Sequence, residues 1–404
     1  MNIIVQKYGG TSVANLEKIR TAAVRIKESL KEGCVAVVLS AMAGDTDGLL
    51  KLASEITRTP DPRDLDLLLA TGEQISVAMM SMTLKEMGIA CETFLGFQAG
   101  VMTDENHGRA KIKRLDEKKV RAALEKGCVA VVAGFQGTTE SGEITTIGRG
   151  GSDTTAVALA AALSAKRCEI YTDVEGIFTA DPAICKNARL LEKISYEEMS
   201  ELADAGAKVL HDRSVEIAAK NGVLLAVKPA HSQGIGTLVV PEKDAVMMEG
   251  SFVSGLTCNT GEARICIRKV PDKVGVTAKI FAPIARAGID VDLIIQNVSE
   301  DGFVELAFTV PKEDLRKALA LTEAAAREVN AGKVRAEGDI AKISVVGLGM
   351  RSHAGIAHRM FAALAREDIS IQMIGTSEIK VSIVIEERRA VDAIKILHDE
   401  FSLA

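Results

Sequence analysis

Through residues 1–240, continuous apolar runs alternate with segments whose apolar positions recur every three to four residues. The runs fall at residues 3–7, 35–40, 92–95, 129–135, 169–172 and 223–227. The helical patterns fall at 13–30, 65–87, 117–126, 153–165, 196–204 and 212–220. A strand that is apolar at every position has to be covered on both faces. The alternation therefore predicts an α/β fold with a mainly parallel sheet sandwiched by helices. Ligands of such sheets sit beyond the carboxyl ends of the strands, and Lys7, Ser40, Gly134 and Asp173 stand at or just past those ends.

Two of the strand-to-helix junctions are rich in glycine and carry a cation: Lys7-Tyr8-Gly9-Gly10-Thr11-Ser12 and Gly148-Arg149-Gly150-Gly151-Ser152-Asp153-Thr154-Thr155. Glycine lets backbone N–H groups come close to a phosphate, and a helix N-terminus adds partial positive charge. A lysine at the strand end can neutralise charge on a phosphoryl group in transfer. Asp153 can cap its helix, hold a cation or orient a lysine. Together the two junctions point to phosphoryl transfer. The architecture is not that of a P-loop: the sole Gly-Lys pair, Gly332-Lys333, is followed by Val334. The G-x-G-x-x-G, H-R-D and D-F-G signatures of dinucleotide-binding folds and protein kinases are absent as well.

The opening Lys7–Ser12 resembles the K-[FY]-G-G-[TS]-S motif of the aspartokinases, within the amino-acid kinase superfamily. The resemblance continues through Ser40-Ala41-Met42, Thr71-Gly72-Glu73, Ala133-Gly134-Phe135-Gln136-Gly137, the stretch from Thr146 to Thr155, and Tyr171 to Pro182. It implies an amino-acid kinase catalytic domain over residues 1–245. It also implies transfer of the γ-phosphoryl group of ATP, with Mg²⁺, to the side-chain carboxylate of L-aspartate, the first step toward lysine, threonine and methionine. On this resemblance Lys7 and Asp153 are the catalytic pair. Lys7, Tyr8, Gly9, Gly10, Ser40, Thr172, Asp173, Phe178, Thr179, Ala180, Asp181, Pro182 and Ala183 take the nucleotide. Thr46, Glu73, Arg149, Gly150, Gly151 and Ser152 take aspartate, with Arg149 on the α-carboxylate and Glu73 on the α-ammonium. The attacking carboxylate is already ionised, so no general base is required. Another superfamily kinase, for glutamate, uridylate or carbamate, and a non-catalytic amino-acid sensor are the alternatives.

The rest of the chain has a different grammar. Ile280-Phe281-Ala282-Pro283-Ile284-Ala285 aligns with Met360-Phe361-Ala362-Ala363-Leu364-Ala365, Ile289-Asp290-Val291 with Ile369-Ser370-Ile371, and Gly275 with Gly355, each at an offset of 361 − 281 = 80. Both copies read as βαββαβ, a ferredoxin-like order, and resemble ACT domains. Their expected extents are 260–335 and 340–404, with residues 250–263 able to pair with the second. ACT domains carry a proline before the glycine; Val274 and Ala354 stand there instead. The resemblance implies an amino-acid effector, lysine and/or threonine, and a homodimer paired through this half. Asp272, Gly275, Gln296, Asn297, Ser377 and Glu378 are the candidate effector residues. An internal start at Met247-Met248 would make this half a separate subunit.

Composition excludes several classes. With 49 basic against 55 acidic residues the balance is 49 − 55 = −6, which draws the chain neither to nucleic acid nor to an anionic membrane. No Trp and 3% aromatics argue against base-stacking modules. The seven cysteines form no C-x-x-C; Cys34, Cys128 and Cys168 open apolar runs and read as core residues. The six histidines form no H-E-x-x-H, and His211, His353 and His358 have no chemical context in sequence. No signal peptide precedes the first strand and no run of ~20 apolar residues is present, so a cytoplasmic location is expected.

Overall fold

The computed structural model describes residues 1–207, 209–245, 252–298, 302–351 and 355–404; Met247, Met248, His353 and Ala354 lie outside the described residues. The chain forms two units, one from Met1–Ile177, Leu190–Asp204 and Lys208–Met248, the other from Phe178–Arg189, Ala205–Ala207 and Glu249–Ala404.

An eight-stranded sheet organises the first unit, in the order Lys193–Ser195, Thr237–Val240, Leu225–Pro229, Arg167–Thr172, Ile3–Tyr8, Cys34–Leu39, Val129–Ala133, Cys91–Phe94. Its pairs are parallel except Leu225–Pro229 with Thr237–Val240. Ile4, Val5, Val35–Leu39 and Val129–Ala133 are fully buried, as unbroken apolar strands require. Register places Tyr8 opposite Leu39 and Tyr171, and Leu39 opposite Ala133. Four central strands therefore end on one row, and their loops open on one edge.

Several elements depart from the sequence reading for local reasons. The first helix is Leu16–Ser29, because the Asn15 side chain accepts from the Lys18 N–H at 3.0 Å and caps it there. The 65–87 pattern is two helices, Pro62–Leu69 and Thr71–Glu86. By length and composition Pro62–Glu86 is apolar enough to cross a membrane. Its Val77, Met80 and Leu84 pack in a core with Ile19, Ile26, Val37 and Val131, and it buries Asp66 and Glu73. The helix Asp45–Ile56 is unheralded because Leu50, Leu52 and Ile56 are exposed and only Ala53 is buried, leaving no apolar face to read. A small second sheet, Ile112–Leu115, Val101–Thr103, Gln136–Thr138 and Ile144–Thr146, has strands too short for any period to register.

The second unit holds two four-stranded sheets. One runs Ile295–Val298, Phe303–Pro311, Glu262–Pro271, Val334–Glu337; the other runs Gly255–Asn259, Ile340–Val346, Lys380–Glu386, Met373–Thr376. Helices Val276–Arg286 and Ile356–Arg366 reproduce the repeat at both ends, 356 − 276 = 80 and 366 − 286 = 80. The first module is inserted into the second: Gly255–Asn259, which precedes it in sequence, is the second module's edge strand. Ala180 and Cys185 join the second module's core with Ile343, Ile383 and Leu397.

Lys342, 3% exposed at its side chain, lies 2.6 Å from Glu262 and also pairs with Asp292, joining the two modules by a buried cation. The paired charges hold its ammonium above the usual lysine range against the burial that opposes them. Removing one partner of a buried ion pair typically costs roughly 3–5 kcal/mol. Lys342→Ala is expected to destabilise this unit by that order in urea unfolding, and Lys342→Met, which keeps the packing volume, by less.

Candidate active site

Lys7 and Asp153 come from well-separated segments of the first unit and meet as an ion pair. Lys7 is the penultimate residue of Ile3–Tyr8, and Asp153 lies in the first turn of Gly151–Leu163. Lys7 Nζ stands 2.6 Å from Asp153 Oδ1, with side chains only 13% and 11% exposed. The pair holds a cation at a strand end next to Gly9 and beside a helix N-terminus. That arrangement suits anionic oxygens.

Ala41 links this loop to Glu73. A Cβ on Gly10 would fall 2.8 Å from the Ala41 carbonyl oxygen, and one on Gly72 would fall 2.8 Å from the Ala41 Cβ. Both glycines are thus required by close approach. The Ala41 N–H donates to Glu73 Oε1 at 2.9 Å, while Oε2 is buried with no hydrogen-bond partner among the described residues. Burial pushes the Glu73 carboxyl from an ordinary 4.5 up to about 7; the Ala41 N–H opposes the shift and the Asp45 charge adds to it. A buried acceptor without a partner costs stability unless a ligand donor meets it. Thr46 follows Asp45 in Asp45–Ile56 and is half-buried.

Arg149 is exposed, between Gly148 and Gly150, both with positive φ. Gly151, Ser152 and Asp153 open the helix behind it. Ser40 follows the strand Cys34–Leu39, its N–H on the Tyr8 carbonyl at 3.1 Å. Thr172 ends its strand and donates to Asp173 Oδ1 at 3.2 Å, with Asp173 exposed.

Two parts of the expected nucleotide set are buried. The Tyr8 side chain faces away from Lys7. It is fully buried, stacked on Tyr171 at 4.7 Å between centroids, because it follows Lys7 on a strand and so faces the other way. Thr179 and Ala180 are buried in the C-terminal unit. The Thr179 hydroxyl donates to the Leu403 carbonyl at 2.8 Å and accepts from the Arg189 N–H at 3.0 Å, so it is fully engaged. Phe178 is half-buried, and Asp181, Pro182 and Ala183 form an exposed turn in which Asp181 accepts from the Ala183 N–H at 2.8 Å.

Residues 2–228 match the amino acid kinase family, and residues 267–329 and 343–401 each match the ACT domain. An aspartate kinase of Pseudomonas putida is 49% identical over 404 residues, covering 100% of this chain and 98% of that protein. The chain belongs to the aspartate kinases. Aspartokinase 2 of Bacillus subtilis is 46% identical, with the same coverage of both chains. E. coli aspartokinase III, solved in complex with aspartate and ADP, superposes with a TM-score of 0.83 at 26% identity over 99% of each chain. A second structure of that protein, with lysine and aspartate, gives 0.75 at the same identity and coverage.

This aspartate kinase also has buried polar contacts near the candidate residues that sequence reading missed. Glu169, 1% exposed, accepts from Gln6, Arg167, Lys228 and Tyr171 at 2.7–3.1 Å, beneath the stacked tyrosines. Asp66 accepts the Thr146 hydroxyl and Arg213 donates to the Ile147 carbonyl, both just before the Arg149 loop, and His107 pairs with Asp66. His211 packs against Gly150, its imidazole held below the usual range by burial and by Arg213. A charged residue inside an apolar strand, as Glu169 is, was the one available signal; the other partners are set by tertiary contact.

In its regulatory half, Gly275 has φ 87 and opens the helix Val276–Arg286, and Gln296 Oε1 accepts from Thr277 at 3.3 Å. Gly275, Gln296 and the unforeseen Thr277 are thereby brought together. Asp272 is exposed just before them, its N–H on the Gly302 carbonyl at 3.0 Å, and Asn297 is exposed on the same edge strand as Gln296. Val274 is fully exposed at the place of the missing proline. Ser377 and Glu378 lie in the exposed turn after Met373–Thr376, with the Ser377 N–H on the Lys380 carbonyl at 2.8 Å.

Proposed function

We propose that this aspartate kinase transfers the γ-phosphoryl group of ATP to the β-carboxylate of L-aspartate, giving 4-phospho-L-aspartate and ADP. The observation that carries the reading is Glu73: a buried carboxylate with one oxygen unpartnered among the described residues, joined through Ala41 to a phosphate-type loop. A carboxylate oxygen of aspartate attacks the γ-phosphorus, one P–O bond forms, and the bond to the bridging oxygen of ADP breaks. No proton moves, because the attacking carboxylate is ionised. Lys7, oriented by Asp153, stabilises the charge on the transferring group. Gly9 and Gly10 N–H groups, with Ser40, Thr172 and Asp173, hold the nucleotide. Mg²⁺ would enter with ATP, held through the nucleotide that Gly9, Gly10, Ser40, Thr172 and Asp173 bind, and would offset phosphate charge. Glu73 takes the α-ammonium, Arg149 the α-carboxylate, and Thr46, Gly150, Gly151 and Ser152 complete the aspartate site.

Arg149→Ala and Glu73→Ala are expected to weaken aspartate binding by roughly 2–5 kcal/mol, tens- to thousands-fold, with ATP binding nearly intact. Separate calorimetric titrations with ATP and aspartate measure this. Equal damage to both ligands would assign the residues to the fold or the nucleotide.

The ACT modules take lysine, threonine or both as effector, through Asp272, Gly275, Gln296 and Asn297 in the first and Ser377 and Glu378 in the second. The chain pairs with a second copy through this half, covering sheet edges. The effector shifts the kinase between states by no more than its differential affinity for them. Direct binding and turnover with each amino acid test this: Asp272→Ala and Gln296→Ala are expected to lose inhibition while retaining uninhibited turnover. No binding of either amino acid at millimolar concentration would leave this half a dimerising tail.

A further inference from the structure

Arg213 makes two backbone contacts that bear on aspartate recognition. It lies near the start of helix Asp212–Asn221, donating from Nη1 to the Ile147 carbonyl at 2.9 Å and from Nη2 to the Ala110 carbonyl at 3.0 Å. One planar cation thus bridges two backbone segments, a fork geometry that an ammonium cannot reproduce. The segments are themselves joined, the Ala110 N–H donating to the Thr146 carbonyl at 2.9 Å. Neighbouring groups hold the rest of the loop. Asp66, 1% exposed, accepts the Thr146 hydroxyl, the Gly108 N–H at 3.1 Å and His107 Nδ1 at 2.7 Å. At the far end, a Cβ on Gly150 would fall 2.3 Å from the Cβ and Cγ of His211, two residues before Arg213.

The stretch is therefore gripped at 146, 147 and 150, while Arg149 at its tip is exposed. We infer that Arg213 is a positioning residue for aspartate: it sets the backbone from which Arg149 reaches the substrate, without touching substrate itself. The inference rests on the reading of Arg149 as the carboxylate grip, and it extends the recognition machinery to a helix that the catalytic motifs do not include. Its consequence is specific. The contribution of Arg213 to aspartate binding passes through Arg149 and vanishes when Arg149 is absent.

The test is steady-state kinetics on the full chain for Arg213→Ala, Arg213→Lys, Arg149→Ala and the Arg149→Ala/Arg213→Ala double variant, varying aspartate and ATP separately. Arg213→Ala is expected to raise the aspartate KM about tenfold or more and the ATP KM less than about twofold, with Arg213→Lys between it and wild type. In the Arg149→Ala background, Arg213→Ala is expected to add less than about a further twofold. The inference is overturned by an unchanged aspartate KM, by equal rises in both KM values, or by effects that multiply in the double variant. If Arg213→Ala does not fold, Arg213→Lys, which keeps the charge, decides through the same comparison. If Arg149→Ala alone leaves the aspartate KM unchanged, the reading of Arg149 fails and takes the inference with it. A strong Arg149→Ala effect with a multiplying Arg213→Ala effect overturns the inference alone.

Discussion

Lys7→Ala is expected to lower kcat by about 10²–10³-fold, while the aspartate KM moves by less than about tenfold. The reason is geometric. Lys7 Nζ is held 2.6 Å from Asp153 in a largely buried position, so its charge is in place before reaction and no reorganisation precedes transfer. Charge on the phosphoryl oxygens changes most in the transition state, and an interaction stronger there than in the ground state acts on kcat. Asp153→Asn, which keeps the shape and weakens the orienting charge, is expected to fall between wild type and Lys7→Ala. Single-turnover rates measured at saturating ATP and aspartate give the comparison. An unchanged kcat in Lys7→Ala would remove Lys7 from transition-state stabilisation.

The second large effect concerns pH. Glu73 is buried and its carboxyl is raised from 4.5 to about 7, so near neutrality the free enzyme carries a proton there in a sizeable fraction of molecules. The aspartate ammonium favours the ionised form, so binding below about pH 7 releases a proton. The aspartate KM is expected to fall about tenfold per pH unit as pH rises toward 7, and then to level. Glu73→Gln is expected to raise the aspartate KM by tens- to thousands-fold and to abolish that slope. Titration calorimetry at pH 6 in two buffers of different ionisation enthalpy counts the released proton.

The same shift has a stability consequence of opposite sense. The folded carboxyl binds its proton more tightly than the unfolded one, so its contribution is fully present below about pH 4.5 and is lost as pH rises through about 7. The difference amounts to about 3 kcal/mol. Without ligand, Glu73→Gln is expected to show a smaller loss of stability over that range than wild type.

Much of this site was legible because its chemistry is local. Lys7, the glycine pair and the 148–155 segment declare a strand end, a tight turn and a helix start within a few residues. The continuous apolar runs around them identify the sheet. The ACT repeat was legible to the residue in its helices, since one offset relates both ends. Strand parity also carries the fact that Tyr8 faces away from Lys7, but the motif groups the two residues and hides it. What stayed hidden depends on distant partners. Asp66, paired with His107, and Arg213 reach residues 146 and 147, just before the Arg149 loop, from three separate segments, and nothing near any of them in sequence marks that meeting. Thr179 stands within a nucleotide-type motif, yet its hydroxyl bonds to Leu403, 224 positions away. The edge strand Gly255–Asn259, by contrast, pairs with Ile340–Val346 across an inserted module, a pairing the sequence reading allows for residues 250–263.

The central claim is acyl-phosphate formation on aspartate. Incubating the full chain with MgATP, hydroxylamine and, in parallel, aspartate, glutamate, UMP or carbamate tests it directly, because hydroxylamine traps acyl phosphates as hydroxamates. The account predicts aspartate hydroxamate in step with ADP, little product with glutamate, and loss of both signals in Lys7→Ala. ADP release without aspartate-dependent hydroxamate, or faster turnover on another acceptor, would contradict it.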